Sequence, residues 1–188
     1  MAWSMGLLGA SVPAAAGAFD LLETTILTSS ASSVTFSGLD AYSDYKHLQI
    51  RALVKSYTGG TGREDLYIRF NSVGSSQYAS HDIQGNGSAV REGASTNDTE
   101  IIIPDSVPRG SDGTSGNFSA LVLDILDYSS TNKNTTLRGF GGMSGDETRI
   151  GLYSGLFLYQ DAITSMTFTI ENSESFISST RFSLYGVK

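Results

Sequence analysis

The sequence contains no cysteine, which excludes disulfide bonds, thiolate catalysis and cysteine-ligated metal sites. Charge is also scarce: 16% of the residues are charged, the formal net charge is −7, and Lys and Arg form no cluster. Because contacts to phosphates need such clusters, we expect no binding to nucleic acid. The chain also lacks an uninterrupted apolar run of about 20 residues, so we expect no membrane span.

Proline is rare, with three residues in the chain, whereas glycine is abundant, with 21. Together with many Ser, Thr and β-branched residues, this composition favours short strands and turns over helices. The stretch 46–57 (KHLQIRALVKSY) has the period of two that is typical of a half-buried strand. In it, Leu48 and Ile50 alternate with Gln49 and Arg51.

Similar strand signals recur along the chain about every ten residues, as in a sandwich or barrel. They occur at 21–27, 33–36, 66–70, 78–84, 99–104, 118–126, 135–143, 149–159, 163–170 and 181–187. No window of ten or more residues shows helical periodicity with caps. Because a single open sheet would leave one apolar face in water, so many strands need two packed sheets.

We therefore predict an all-β fold, an antiparallel β-sandwich that is jelly-roll-like and carries an extended N-terminal arm. The sandwich is expected to be one domain over residues 19–188, and the arm to cover residues 1–18. Three polar stretches, 57–65, 85–98 and 105–117, are predicted to be loops at the ends of the sandwich, where binding sites usually lie.

The arm is predicted from a run of mostly small residues in which the first charged side chain is Asp20. The run has no basic region of the kind that begins a secretory signal, and Gly and Pro interrupt it too often for a spanning helix. A frayed terminus is the simplest alternative. We expect the arm to become ordered against a partner through its scattered large apolar side chains, which are Trp3, Met5, Leu7, Leu8, Val12 and Phe19.

Sequence motifs for catalysis are missing. The chain has no Gly-x-Ser-x-Gly elbow, and His47 and His81 belong to no zinc-binding pattern. The glycine clusters at 85–90 and 139–146 lack the spacing of a phosphate loop, so we interpret them as turns, bulges or close backbone approaches. We expect no enzymatic activity, no catalytic residue, no cofactor and no metal.

Acidic residues leave two chemical alternatives open: a glycosidase carboxylate pair, or a calcium site built from loop oxygens. The pairs are Glu64 with Asp65, Asp98 with Glu100, Asp124 with Asp127, and Asp146 with Glu147. Solvated charges at strand ends are the simpler interpretation. The nine tyrosines offer a further alternative, a platform on which sugars stack, although most tyrosines in a sandwich pack their rings inside.

Several stretches resemble a group of bacteriophage virion structural proteins from phages of aquatic bacteria, including cyanophages. The resemblance covers nearly all of 18–188 and is carried by the opening at 19–39, the tract YSDYKHLQIRALVKS, LYIRFN, YASHDIQGNGS and the closing RFSLYGV. It implies a non-enzymatic β-sandwich on a particle surface. In this chain SVGSS (72–76) stands where many members of the group have a glycine-aspartate turn.

The leading hypothesis is a capsid decoration, or cement, protein that docks on the major capsid protein through its N-terminal arm and stabilises the head. It would be a homo-oligomer, with a trimer expected, on the outer surface of the capsid and in the host cytoplasm during assembly. Several weakly binding arms on one body raise occupancy through effective concentration. The alternative is a tail-fibre or receptor-binding module for host surface glycans, and a polysaccharide hydrolase is a third possibility.

Overall fold

The computed structural model describes residues 17–57, 59–60, 62–110, 116–144 and 148–188. These residues form twelve strands and two short 3-10 turns, Leu39–Tyr42 and Glu171–Ser173, and contain no α-helix. The strands are β1 (Phe19–Ile26), β2 (Ser33–Ser37), β3 (His47–Val54), β4 (Arg63–Phe70), β5 (Tyr78–Gly85), β6 (Val90–Asp98), β7 (Ile101–Pro108), β8 (Ser119–Leu126), β9 (Thr135–Met143), β10 (Arg149–Phe157), β11 (Ser165–Ile170) and β12 (Arg181–Val187).

The strands form two antiparallel sheets, and their order confirms the predicted jelly-roll-like sandwich. The small sheet has the order β2-β11-β4-β7, and the first half of the large sheet has the order β1-β12-β3-β8. Along the chain these eight strands cross to the other sheet at every step except from β4 to β7, which are neighbours in the small sheet, and this is the two-Greek-key order of a jelly roll. The half-buried strand predicted at 46–57 is β3, whose Leu48 and Ile50 face the core.

Two inserted hairpins make the large sheet twice as wide as the small one. The hairpin β5–β6 is inserted between β4 and β7, and the hairpin β9–β10 between β8 and β11. Both hairpins join the large sheet beyond β8, in the order β9-β10-β5-β6. We call these four strands the extension. No strand of the small sheet pairs with them, so the extension reaches beyond the jelly roll.

The core between the two sheets is built from apolar side chains at alternate positions. Leu66, Ile68 and Phe70 of β4 are fully buried and share one face, as the sequence predicted. Aromatic rings join the sheets: Phe168 of the small sheet lies 4.7 Å, centroid to centroid, from Phe182 of the large one. Each such buried ring stabilises the fold by about 2–3 kcal/mol, so their loss would be felt by the whole sandwich.

One predicted loop is wrong. Residues 85–98 were expected to connect strands, but β6 occupies most of this stretch and pairs with β5 from Gly85↔Val90 to Tyr78↔Asp98. The strand escapes a hydrophobicity pattern because it lies at the edge of the sheet and nearly all of its residues are exposed or half-buried. Only the short turn around Gly87, where φ is +86°, is a loop, as expected for the first glycine cluster.

The extension covers the free edge of the small sheet. The Ile102 N–H of β7 donates a hydrogen bond to Ser80 Oγ (2.8 Å), and the Gln84 side-chain amide donates to the Pro104 carbonyl (2.8 Å). Both backbone groups belong to an edge strand whose other side pairs with β4. Polar side chains on the inner face of β5 therefore satisfy backbone groups that would otherwise lie at an open edge.

The buried hydroxyl of Tyr78 provides a test of how the extension is attached to the core. It accepts a hydrogen bond from the Phe70 N–H (3.0 Å) and donates to the Val73 carbonyl (2.9 Å). Tyr78→Phe leaves both groups unsatisfied, so we expect the free energy of unfolding to fall by about 1–2 kcal/mol, measured by urea denaturation. Tyr57→Phe, at an exposed position, is the control and should leave it unchanged. Equal stability of both variants would contradict the role of the Tyr78 hydroxyl.

Candidate interaction surface

The structure describes only the last of the side chains predicted to anchor the arm. Trp3, Met5, Leu7, Leu8 and Val12 lie outside the described residues. Phe19 is the first residue of β1 and pairs with Val187. Its ring is 46% exposed, and the Arg51 guanidinium lies 5.3 Å from its centroid. Phe19 therefore belongs to the sandwich, next to the point where residues 1–16 join it.

An apolar row crosses the outer face of the large sheet. The strand register joins Val122 of β8 to Phe140 of β9, Phe140 to Leu152 of β10, and Leu152 to Ile83 of β5. Phe140 is 51% exposed and Leu152 57% exposed, although both lie on central strands of the sheet. Four neighbouring strands thus present large apolar side chains to solvent in one continuous line.

A second row runs beside the first and borders one of the grooves on this face. It joins small residues to large ones, in the order Leu53, Ala120, Gly142, Ile150, Gly85 and Val90. A groove of about 720 Å³ lies over Gly142 between the side chains of Phe140 and Ile150. We call the exposed apolar side chains of the two rows the apolar face: Leu53, Ile83, Val90, Val122, Phe140, Ile150 and Leu152.

The inner face of the extension combines buried apolar side chains with glycines. Leu137, Tyr153 and Phe157 of β9 and β10 are buried on this face. The glycines between them leave room for neighbouring side chains: a Cβ at Gly155 would lie 2.6 Å from Ile101 Cγ2, and one at Gly139 would lie 2.6 Å from Leu123 Cδ2. The second glycine cluster therefore marks close approaches, as one of the sequence interpretations held. Large apolar side chains thus lie on both faces of the extension, and those on the outer face are exposed.

The apolar face is large for a surface exposed to water. Its seven side chains are 36–73% exposed and lie in two adjacent rows, whereas monomeric proteins rarely expose large contiguous apolar patches. Patches of this size usually mark an interaction site. Polar residues line one side of the face, where Asp124 accepts hydrogen bonds from Gln49 (2.7 Å) and Arg138 (2.9 Å). An apolar centre with a polar margin is the pattern of a protein interface.

An ionic cluster fastens the extension to the small sheet. Asp105 of β7 is paired with Arg63 (2.8 Å) and Arg91 (2.8 Å), and Arg149 lies 3.8 Å from it. Its N–H donates a hydrogen bond to the half-buried carboxylate of Asp65 (2.8 Å). Arg91 also lies 3.9 Å from Asp82, so guanidinium and carboxylate groups from several strands face one another, and we interpret the cluster as structural.

The carboxylates singled out in the sequence are also held by groups of the same chain, where the structure describes them. Glu64, which is 1% exposed, accepts a hydrogen bond from Arg109 Nε (2.6 Å). The others are bound as follows: Asp65 by the Asp105 N–H, Asp98 by Ser95, Glu100 by Arg69, Asp124 by Gln49 and Arg138, and Asp127 by Lys133. Asp146 and Glu147 lie outside the described residues.

Histidine and tyrosine do not come together in the described part of the chain to form the sites that were considered. His47 Nδ1 accepts the Asp127 N–H (2.8 Å), whereas His81 lies on the outer face of β5. Among the described residues, no group of three or more His, Asp or Glu could hold a metal ion. Tyr78, Tyr128 and Tyr153 are buried in the core, so they are not available to stack on sugars.

Comparison with protein-family models, with curated proteins and with solved structures finds no match to this chain. In the described ranges, no helix is long and apolar enough to cross a membrane. Any role of the apolar face is therefore argued from its geometry alone.

The ionic cluster gives the stability of the fold a defined dependence on pH. Burial raises the pKa of Asp65 to about 6, and the nearby carboxylates of Glu171 and Asp105 add to this effect. The unfolded chain releases this proton near pH 3.9, so the folded state holds it between about pH 4 and 6. The stabilisation that the raised pKa of Asp65 gives to the folded state is therefore complete below about pH 4, and it is lost as pH rises through about 6.

Asp65→Asn tests this dependence because the amide oxygen can still accept the Asp105 N–H. We expect the melting temperature of the variant, relative to that of the wild type, to rise as the pH is raised from about 4 to 7.5. Asp161→Asn, at an exposed position, measures the effect of simply removing one negative charge. A difference between Asp65→Asn and wild type that does not change with pH would contradict the raised pKa.

Proposed function

We propose that this protein is a non-enzymatic virion structural protein, a decoration or cement protein on the outer surface of a phage capsid. In this proposal the arm over residues 1–18 docks on the major capsid protein, and the sandwich carries several such arms as an oligomer. The observation that carries the proposal is the apolar face, because a surface of this size on central strands is built to be covered by protein.

The fold and the position of the arm are compatible with this role. Jelly rolls occur both in capsid proteins and in lectins, so the fold supports either function only by analogy. The described chain begins beside β1, an edge strand of the large sheet, so the proposed arm is attached at the margin of the sandwich. Sixteen extended residues can span about 50 Å, far enough to reach a neighbouring molecule.

Energetics favour several arms over one. The large apolar side chains before Phe19 can contribute about 2 kcal/mol each when buried. Ordering the backbone costs about 1–2 kcal/mol per residue, so the burial of these side chains alone falls short of break-even for one arm, and backbone hydrogen bonds to the partner must assist. Phe19 adds little to docking because it is already held in β1. A second arm on the same body binds at a high effective concentration, which raises occupancy without new contacts.

The competing role, a tail-fibre or receptor-binding module for host surface glycans, has less support. Glycan sites usually need aromatic rings that are open to solvent beside polar donors. Tyr57 and Tyr159 are exposed, but the rows of the apolar face contain aliphatic side chains and a single Phe. Copy number separates the two roles: hundreds of copies per virion support a decoration protein, whereas a few copies together with hits on a glycan array would support the receptor-binding role.

Removal of residues 1–16 tests the docking role and spares β1. We expect the truncated protein to keep its melting temperature within a few degrees, because all twelve described strands remain. Binding to capsids that lack the protein should be abolished in a cosedimentation assay. Leu7→Ser together with Leu8→Ser in the full-length chain is the matched control for shortening and should also weaken binding. Undiminished binding by the truncated, folded protein would refute the docking role.

A further inference from the structure

The apolar row ends in charges of opposite sign. On β3, Arg51 pairs with Val122 at one end of the row, and on β6, Glu92 pairs with Ile83 at the other end. Both charged residues are exposed. Among the ion pairs of the described residues, none contains Arg51 or Glu92. The Arg51 guanidinium donates a hydrogen bond to Gln49 Oε1 (2.8 Å) and lies 4.4 Å from the centroid of the Tyr185 ring. The complete row is Arg51, Val122, Phe140, Leu152, Ile83 and Glu92.

We propose that the apolar face is covered by the same face of a second copy of this chain. The two copies are related by a two-fold axis that runs parallel to the strands and passes between β9 and β10. This position is the centre of the row, which has three residues on each side. The two large sheets then stack face to face, about 10 Å apart, as sheets do inside a sandwich.

Charge complementarity selects this axis. Rotation about it places Arg51 opposite Glu92 of the partner subunit, and Glu92 opposite the partner's Arg51. Both charged ends of the row are thereby paired. The other two-fold axis that stacks the faces runs along the row, and it would place like charges opposite each other at both ends. Such contacts would disfavour that arrangement.

The same rotation also matches the shapes of the two faces. In the second row, Gly142 of β9 and Ile150 of β10 lie on opposite sides of the axis. Ile150 therefore comes to lie over the groove above Gly142 of the partner subunit. In the polar row alongside, Asp124 comes opposite His81 of the partner subunit. One operation thus pairs charges, fills the groove and matches polar with polar.

The extent of the face suits a stable pair. Each copy contributes seven exposed apolar side chains from six strands together with charged and polar margins, and a specific interface buries about 1,200–2,000 Å² in total. A two-fold contact is self-complementary, so it closes after two copies and exposes no further apolar face. The resulting pair carries two arms, which meets the energetic need for more than one.

The mass of the purified full-length protein is the first test. We expect light scattering at micromolar concentration to give about 40 kDa, twice the chain mass of 20.0 kDa. Leu152→Lys places a charge at the centre of the face and should return the mass to about 20 kDa without changing the melting curve of the monomer, since the side chain is exposed. Leu158→Lys, an exposed position beyond the end of β10, is the matched control and should remain paired.

Charge reversal is the second test, and it tests whether the two copies are related by the proposed two-fold axis. Arg51→Glu alone and Glu92→Arg alone each place two like-charged pairs in the proposed dimer, so each should weaken self-association by about tenfold or more. An equimolar mixture of the two variants restores two attractive pairs in a heterodimer, and its affinity should return to the wild-type value. Glu92→Arg is the cleaner variant because Arg51 also contacts Tyr185.

Each remaining outcome overturns the proposal. A mass of about 20 kDa for the wild type would mean that a different partner covers the face, and a mass of about 60 kDa would favour the trimer expected from the sequence. Single variants that associate like wild type would exclude the proposed axis. None of these measurements involves a virion, so they fail or succeed separately from the capsid-binding assay of the truncated arm.

Discussion

The unequal width of the two sheets is the constraint on which the rest of the structure depends. Eight strands lie against four, so only the jelly-roll half of the large sheet is fully covered by a partner sheet. Beyond β8 the inner face packs against the edge strand β7, and the Phe157 ring also reaches Phe70 of β4 (5.7 Å between centroids). It combines buried rings such as Tyr78 and Tyr153 with glycines and hydrogen-bonding side chains. On the outer face of the extension large apolar side chains are exposed, and they form the surface to which we assign a function.

Polar interactions add to the apolar packing that holds the extension against the small sheet. Ser80 and Gln84 bind backbone groups of β7, and Asp105 gathers arginines from β4, β6 and β10. Contacts of this kind are directional, so they fix the position of the extension relative to the small sheet more sharply than a fluid apolar contact would. A rigidly held extension keeps its outer face in register, and a self-complementary interface requires such rigidity.

The strands were predictable from the sequence wherever burial imposes alternation, as in β3, β4 and β8. The failure at β6 has a physical cause: an exposed edge strand is held by backbone hydrogen bonds to β5, which leave no mark on side-chain hydrophobicity. The apolar face was equally hidden. In β10, Ile150 and Leu152 alternate with Gly151 and Tyr153, and this pattern does not say which set faces the core. No single motif could have identified the surface, because its residues come from six strands.

The sequence by itself determined the all-β class, the positions of eleven strands and the residues that alternate into the core, because these depend on local periodicity and on burial along one strand. Tertiary structure alone decided the strand order, the doubling of the large sheet and the direction in which the extension turns its apolar side. These properties arise from pairing between segments far apart in the chain. Cross-strand register, which no local pattern encodes, brings Arg51 and Glu92 to opposite ends of one row.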